Sequence, residues 1–467
     1  MVKHYDFLIL GGGAAAFAAA TVASELGLKT VMINDGLPLG GTCVNVGCVP
    51  SKYLLELGFD HVHSGRKRFE AITPSQGGLD FDKAIAGKDT VVSWLRQRNY
   101  HNVIEGFEDV DFIKGLGSFV SPTEVSVNHK IIAADKILIA TGSTTRVPAI
   151  EGLDRVAYLT NQEALGLEAL PEKLLVVGAG PLGLEFAQMF AHFGSKVTLF
   201  ANHDRVLPHH EPEVGQAMGR YLSDEGIEIH TNVNTQKVEQ TGAQKAVTAT
   251  SDGQQTTQHF DQVLIATGIK PNNDLNLEAA GITTNKKGFI QTDGCLKTDA
   301  DNIWAAGDVV GKMALETVAA KEGSLAARNA LQGRTPTINY EHIPHAVFTY
   351  PAVASVGLTE DEEMERFNAC ACRTVPLDIV PKALAVNDTR GLVKMVVHPQ
   401  TSVVLGVHLV APHAAEMIHE AVVAVRMGMT VDDLIDTVHV FPTYSEGIKM
   451  AAQAFRRDIS KMSCCVE

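Results

Sequence analysis

No stretch of these 467 residues is long and apolar enough to span a bilayer, and no basic stripe runs along any segment. The formal net charge is −15 at pH 7, which argues against a surface for nucleic acid. Seven cysteines show no disulfide-framework spacing, and 18 histidines show no zinc spacing, so His209 and His210 read as loop residues. A signal-peptide pattern is also missing, since Lys3, His4 and Asp6 lead directly into a strand. These absences predict a cytoplasmic protein in a reducing compartment, with no membrane insertion, no nucleic-acid partner and its thiols kept for chemistry. The length suits two to four domains, each with its own core.

What is present begins with glycine. Phe7 to Leu10 reads as a buried parallel strand, followed by Gly11-Gly12-Gly13-Ala14-Ala15-Ala16 and an alanine-rich helix to about Leu26. In this strand–G-x-G-x-x-A–helix unit, backbone N–H groups and the helix dipole face a pyrophosphate. The next strand should end on an acid that holds the ribose, but Asn34 stands there and Asp35 follows. Leu174 to Val177, then Gly178-Ala179-Gly180-Pro181-Leu182-Gly183, repeats the unit. Ala140-Thr141-Gly142 closes the first copy and Ala266-Thr267-Gly268 the second, so the chain carries an internal duplication. Strand Val197 to Phe200 of the second copy ends at Ala201, and Asn202, His203 and Arg205 follow. A guanidinium there accepts a 2′-phosphate that a carboxylate would repel, which predicts NADPH over NADH. The alternative is that Arg205 is a solvated loop residue.

Between the glycine units lies the stretch Gly40 to Lys52, with Cys43 and Cys48 among small residues. Thiols this close can meet disulfide geometry, and a helix N-terminus or Lys52 lowers a thiolate's pKa. Gly40, Gly41 and Gly47 let a flat ring approach the backbone. The stretch reads as a redox-active dithiol against a flavin, with a stapled structural loop as the alternative. Helices are expected from Tyr53 to about Asn102, packed over the flavin domain.

The dithiol stretch and the duplication together resemble the pyridine nucleotide–disulfide oxidoreductases over nearly the whole chain. The resemblance implies an α/β chain with two Rossmann-like dinucleotide-binding domains and a C-terminal α+β dimerisation domain. Residues 1–150 and 271–339 would bind FAD, 151–270 would bind NADPH, and 340–467 would form the interface with a Cys-Cys tail. It implies FAD contacts from Gly11, Gly13, Ala16, Asp35, Gly41, Thr42, Lys52, Thr141, Gly142 and Asp308, the last on the ribityl chain. NADPH contacts would come from Gly178, Gly180, Gly183, Asn202, His203, Arg205 and Gly268. Glu185 would pair with Lys52 near flavin N5, against the alternative of a surface role. Cys48 would be the charge-transfer thiolate and Cys43 the exchanging thiol.

After Tyr340 the pattern changes. Leu392 to His398 and Val403 to Leu409 read as a hairpin. Helices are expected over 413–427, from Thr430 behind a capping box closed by Asp433, and over 445–458.

Two features narrow the reading. The family's disulfide-reducing members carry a histidine, as acid/base, where this chain has Phe441. Phenylalanine cannot protonate a leaving thiolate, a loss worth about 10²–10⁴-fold in rate. His439 lies two residues earlier and could substitute, though a structural role on a strand is the simpler reading; Glu446 then becomes structural or a cap residue. The second feature is the tail Ser463-Cys464-Cys465. A vicinal bridge is strained, because adjacent α-carbons are about 3.8 Å apart, so two thiols on a terminus make a soft-metal hook. An incidental thiol pair is the alternative.

Together these resemble the family branch that reduces Hg(II) to Hg(0). That implies a homodimer with active sites shared across the interface and thiol-chelated Hg(II) as substrate. Cys43, Cys48, Cys464 and Cys465 would handle the metal, and Tyr444 would be an active-site tyrosine. The competing functions are an NAD(P)H-dependent disulfide reductase and a non-catalytic soft-metal-binding flavoprotein. Cys370 and Cys372 would share one face of a strand, as a C-x-C chelate could, or serve as small apolar fillers. Cys295 has no partner in sequence and reads as structural.

Overall fold

The computed structural model describes residues 2–458, and Cys464 and Cys465 lie outside them. The first glycine unit forms strand Lys3–Leu10, helix Ala14–Glu25 and strand Thr30–Asn34. Their sheet runs Val110–Lys114, Thr30–Asn34, Lys3–Leu10, Lys130–Ile139, Glu124–Val127, Ser118–Ser121. Much later in the chain, Ile303–Ala305 returns to pair in parallel with Lys130–Ile139. Phe7, Leu8, Ile9 and Leu10 are buried in succession, as a strand covered on both faces requires.

The second unit repeats this plan in a four-stranded parallel sheet ordered Glu228–His230, Lys196–Phe200, Lys173–Val177, Gln262–Ile265. Its helix, Pro181–Phe193, starts with proline at the first turn, where no intrahelical N–H is lost. The duplication is visible at atomic contacts. A Cβ on Gly11 would fall 2.1 Å from the Ala140 carbonyl oxygen, and one on Gly178 would fall 2.3 Å from that of Ala266. Both glycines have positive φ, 133° and 114°. In each copy the first motif glycine therefore lets the turn lie directly on the strand that ends in Ala-Thr-Gly.

A three-stranded antiparallel sheet (Asn234–Thr241, Gln244–Ser251, Gln254–Phe260) is appended to the second unit, and the sequence patterns did not anticipate it. Ser143–Thr145 and Ile269–Pro271 pair antiparallel, so the segments following the two Ala-Thr-Gly turns are stitched together.

Helices do occupy the stretch after the cysteines, at Cys48–Gly65 and Phe81–Arg96. Their packing is divided: at the end of the stretch Tyr100 meets Phe17 of the first unit edge-on at 4.9 Å, while the helices themselves lean on the second unit. Leu54 and Leu55 share a core with Phe186, Phe190 and Phe193 of the second unit. Gly58 permits this, because a Cβ there would already lie 3.1 Å from His192 Cβ.

The C-terminal domain is an antiparallel sheet ordered His345–Val347, Ala352–Gly357, Val404–Ala411, Leu392–Val397, Cys372–Pro376. The predicted hairpin is its central pair. Helix Ala414–Met427 follows, and Thr430 with Asp433 forms both bonds of a capping box before Val431–Asp436. The last described helix, Glu446–Gln453, is shorter than the 445–458 expected.

Candidate active site

Cys43 lies on a short helix, Gly41–Val46, and Cys48 opens the longer helix Cys48–Gly65. Asn45 secures the turn by donating to the Gly41 carbonyl at 2.8 Å, and Asn161 reaches in to donate to Val46 O at 2.7 Å. Both cysteines are free thiols, Cys43 half-buried and Cys48 exposed. The two thiols interact, and the interaction favours the proton on Cys43. That interaction holds the Cys48 thiol below its ordinary pKa, with Lys52 adding to the effect against the cost of burial. The same interaction and burial push the Cys43 thiol well up. One sulfur is thus primed as thiolate while its neighbour keeps the proton.

Lys52 lies one helical turn beyond Cys48. Its Nζ is 2.7 Å from Glu185 Oε2, and Glu185 is buried on helix Pro181–Phe193. Glu185 Oε1 accepts the Phe348 N–H at 2.8 Å, and the Lys52 ammonium lies 4.5 Å from the centre of the Phe348 ring. The ion pair therefore joins the dithiol helix, the second nucleotide helix and the C-terminal domain.

A cleft of about 490 Å³ runs from the first glycine turn toward the dithiol. Gly13, Asp35, Gly41, Thr42, Thr141, Gly142 and Asp308 line it, and Gly11 lines an adjoining hollow with Asp35 and Thr141. Asn34 and Asp35 both line this end of the cleft; Asn34 donates to Leu37 O at 3.1 Å, and Asp35 is the acid of the two. A Cβ on Gly41 would come 2.9 Å from Gly13 Cα, which keeps this wall flush for a planar group. Ala16 is fully buried beneath the turn. Asp308 accepts the Ser143 hydroxyl at 2.7 Å; burial pushes its carboxyl up and Ser143 opposes this. Paired glycine walls, a helix N-terminus and an acceptor partway along fit a dinucleotide such as FAD.

Glu316 was not singled out from the sequence, yet it lines the same cleft at the start of helix Glu316–Gln332. Its carboxyl interacts with the Cys43 thiol, while burial and the charge of Asp308 push it up to about 7. No local pattern could have disclosed it, because only the strand returning at Ile303 brings its helix to the dithiol.

On the second unit, Gly178, Gly180 and Gly183 form the turn and helix start, and Gly268 has φ +98°. A Cβ on Gly183 would fall 1.9 Å from Gly178 O. Asn202 and His203 are exposed beyond strand Lys196–Phe200. Arg205 is turned partly inward: Nη1 lies 3.2 Å from Asp204 Oδ1 and Nη2 donates to Pro208 O at 3.1 Å.

Four expected or weighed residues lie in the C-terminal domain. Tyr444 does not face either glycine turn; its ring is in the C-terminal domain's own core and its hydroxyl donates to Asp388 O at 3.2 Å. His439 Nε2 lies 2.6 Å from Glu420 Oε1, and that bond raises its pKa. Glu446 accepts the Thr443 N–H, a capping contact. Phe441 is half exposed on the surface of the C-terminal domain.

Residues 5–323 match the family model described as pyridine nucleotide-disulphide oxidoreductase, and residues 343–452 match that family's dimerisation domain. A mercuric reductase of Staphylococcus aureus is 40% identical over 99% of this chain and 84% of its own length. One of Streptomyces lividans is 42% identical over 99% of this chain and 98% of its own. Among solved structures, the HOCl-induced flavoprotein disulfide reductase RclA from Escherichia coli, as its Cu(II) complex, is similar at TM-score 0.87. It is 30% identical, over 97% of this chain and 100% of that one. Among the described residues, no helix is long and apolar enough to cross a membrane.

Proposed function

This chain belongs to the pyridine nucleotide-disulphide oxidoreductase family, and from that premise we propose that it reduces Hg(II) to elemental mercury with NADPH. The observation that carries the reading is Phe441, a side chain without a titratable proton where disulfide-reducing relatives place their acid. A metal leaving a dithiolate needs no such external acid, whereas a disulfide's leaving thiolate does. Two full-length relatives named as mercuric reductases support the same reading.

The first nucleotide cleft would hold FAD through the turn of Gly11, Gly13 and Ala16, with Asp35, Gly41, Thr42, Thr141, Gly142 and Asp308 along its length and Lys52 at the dithiol end. When bound, FAD supplies two-electron transfer from the nicotinamide to the dithiol site. NADPH would dock on Gly178, Gly180 and Gly183, with Gly268 beside the turn and Asn202, His203 and Arg205 meeting its 2′-phosphate.

Cys464 and Cys465 of a partner subunit would take Hg(II) from solvent thiols and pass it by ligand exchange to Cys43 and Cys48. Cys43 would be the thiol that exchanges with the incoming metal thiolate, and Cys48, favoured as thiolate, would supply the other ligand. Cys43 must shed its proton to become a ligand, and the Glu316 carboxyl, which interacts with it in the same cleft, is a candidate acceptor. In the net reaction two electrons reduce the bis-thiolate mercury to Hg(0), NADPH becomes NADP⁺, and the proton left from its hydride returns to Cys43. Cys48 ends as thiolate, so charge and protons balance. Tyr444 would be an active-site tyrosine of the shared site, as the family resemblance implies.

A homodimer is supported by the dimerisation domain and by the exposed Val423, Met427, Val438, Val440 and Phe441, which a second subunit would cover. Disulfide reduction is the second reading, favoured by the similarity to a flavoprotein disulfide reductase. The test is NADPH oxidation. We expect it on adding Hg(II) in excess thiol, and not on adding lipoamide or oxidised glutathione; the reverse pattern selects the disulfide reductase.

A further inference from the structure

The C-terminal domain brings two further thiols onto a carboxylate. Helix Glu360–Phe367 ends at Asn368, which has φ 52°, and the chain doubles back through Cys370 into strand Cys372–Pro376. Being two residues apart in extended chain, Cys370 and Cys372 present their sulfurs on one side. The first residue of the helix, Glu360, closes over them. The two sulfurs and a Glu360 carboxylate oxygen all lie within 4.8 Å of one another, and Cys370 Sγ is 3.5 Å from Glu360 Oε1.

Glu360 is itself fixed. Its Oε2 accepts from the buried Lys394 ammonium at 2.7 Å, and its N–H donates to Glu211 Oε1 at 2.7 Å. Oε1 is thereby left facing the thiols, as an outer-shell partner orients a metal ligand. Lys394 also pairs with Glu211 and Glu213, and Glu363 accepts the Ala371 N–H beside the cysteines. Carboxylates outnumber ammonium groups here, so the charge favours a cation. Cys370 is exposed, which leaves a side open to solvent.

We propose that Cys370, Cys372 and Glu360 form a surface S₂O site for a thiophilic divalent cation, separate from the dithiol cleft, with its remaining position open to water or an external thiolate. Thiolate pairs select soft or borderline ions such as Hg(II), Cd(II) and Zn(II) over Mg(II) or Ca(II). Binding replaces two S–H bonds with two metal–sulfur bonds and releases two protons, with no change of oxidation state.

Titration of the full-length holoenzyme with Cd(II), read by the thiolate-to-metal charge-transfer absorbance and by proton release, tests this. The Cys370→Ala/Cys372→Ala variant should bind one equivalent fewer and release two protons fewer, while NADPH oxidation at the dithiol site is unchanged. Equal stoichiometry and proton release in the two proteins would overturn the proposal. Glu360→Gln should retain both thiolate bonds but weaken that equivalent about 10–100-fold. Unchanged affinity there would overturn the three-ligand site.

Discussion

Lys52 Nζ and Glu185 Oε2 meet at 2.7 Å across two domains, beside the Cys48 thiol, whose pKa Lys52 helps to lower. Glu185 is buried and Lys52 is about one-third exposed, at 33% of its side chain, so solvent screens part of the pairing. Lys52→Met should destabilise the protein by about 1–3 kcal/mol, since it leaves a buried carboxylate with one partner fewer. It should also raise the Cys48 pKa. Denaturant unfolding and a pH titration of thiolate absorbance check the two effects.

Glu316 is held near a pKa of about 7, above its ordinary value of 4.5. A carboxyl raised by folding binds its proton more tightly in the native state. Its contribution to stability is present below about pH 4.5 and fades as pH rises through about 7. Glu316→Gln should flatten this fall, read as melting temperature against pH. Removing the anion should also speed alkylation of Cys43 several-fold at pH 8, measured by mass spectrometry of the labelled thiol.

The Cys464→Ala/Cys465→Ala variant should keep its rate of flavin reduction by NADPH and lose most turnover of thiol-chelated Hg(II). Stopped-flow absorbance separates the two steps, and a steady-state rate equal to that of the unaltered chain would leave the tail without a catalytic part.

Arg205→Glu should raise the KM for NADPH far more than that for NADH, because a carboxylate repels the 2′-phosphate. Its present bonds to Asp204 and Pro208 O must rearrange for that contact. Asp204→Asn should accordingly lower the NADPH KM by freeing the guanidinium. Equal changes for both nucleotides would make Arg205 a loop residue.

The duplicated strand–turn–helix units were legible because everything that defines them is local: a buried strand, glycines at fixed offsets and a helix start. The Thr430–Asp433 cap and the hairpin read at 392–398 and 403–409 were legible for the same reason. Glu316 and Glu360 were not, because each acquires its role from a return of the chain that no window of sequence contains. Cys370 and Cys372 could be seen as a possible chelate, while their third ligand could not. Motif position suggested Tyr444 as a site residue, and within the single chain its ring packs in the C-terminal domain's core, a placement that no local pattern foretold. The direction in which helix Cys48–Gly65 packs was likewise hidden, since its apolar stripe states that it is covered without stating by what.

The helix Pro181–Phe193 begins at the second glycine turn, sends Glu185 to Lys52 and sends Gln188 to the N–H and the carbonyl of Tyr350, at 2.7 Å and 2.8 Å. It has no slack at which one task could be altered without the others. Grafting a foreign pyridine-nucleotide module into this scaffold would therefore require transplanting that single rod's inward face along with the loop that reads the coenzyme. Specificity can drift at the rim while the axle stays as it is.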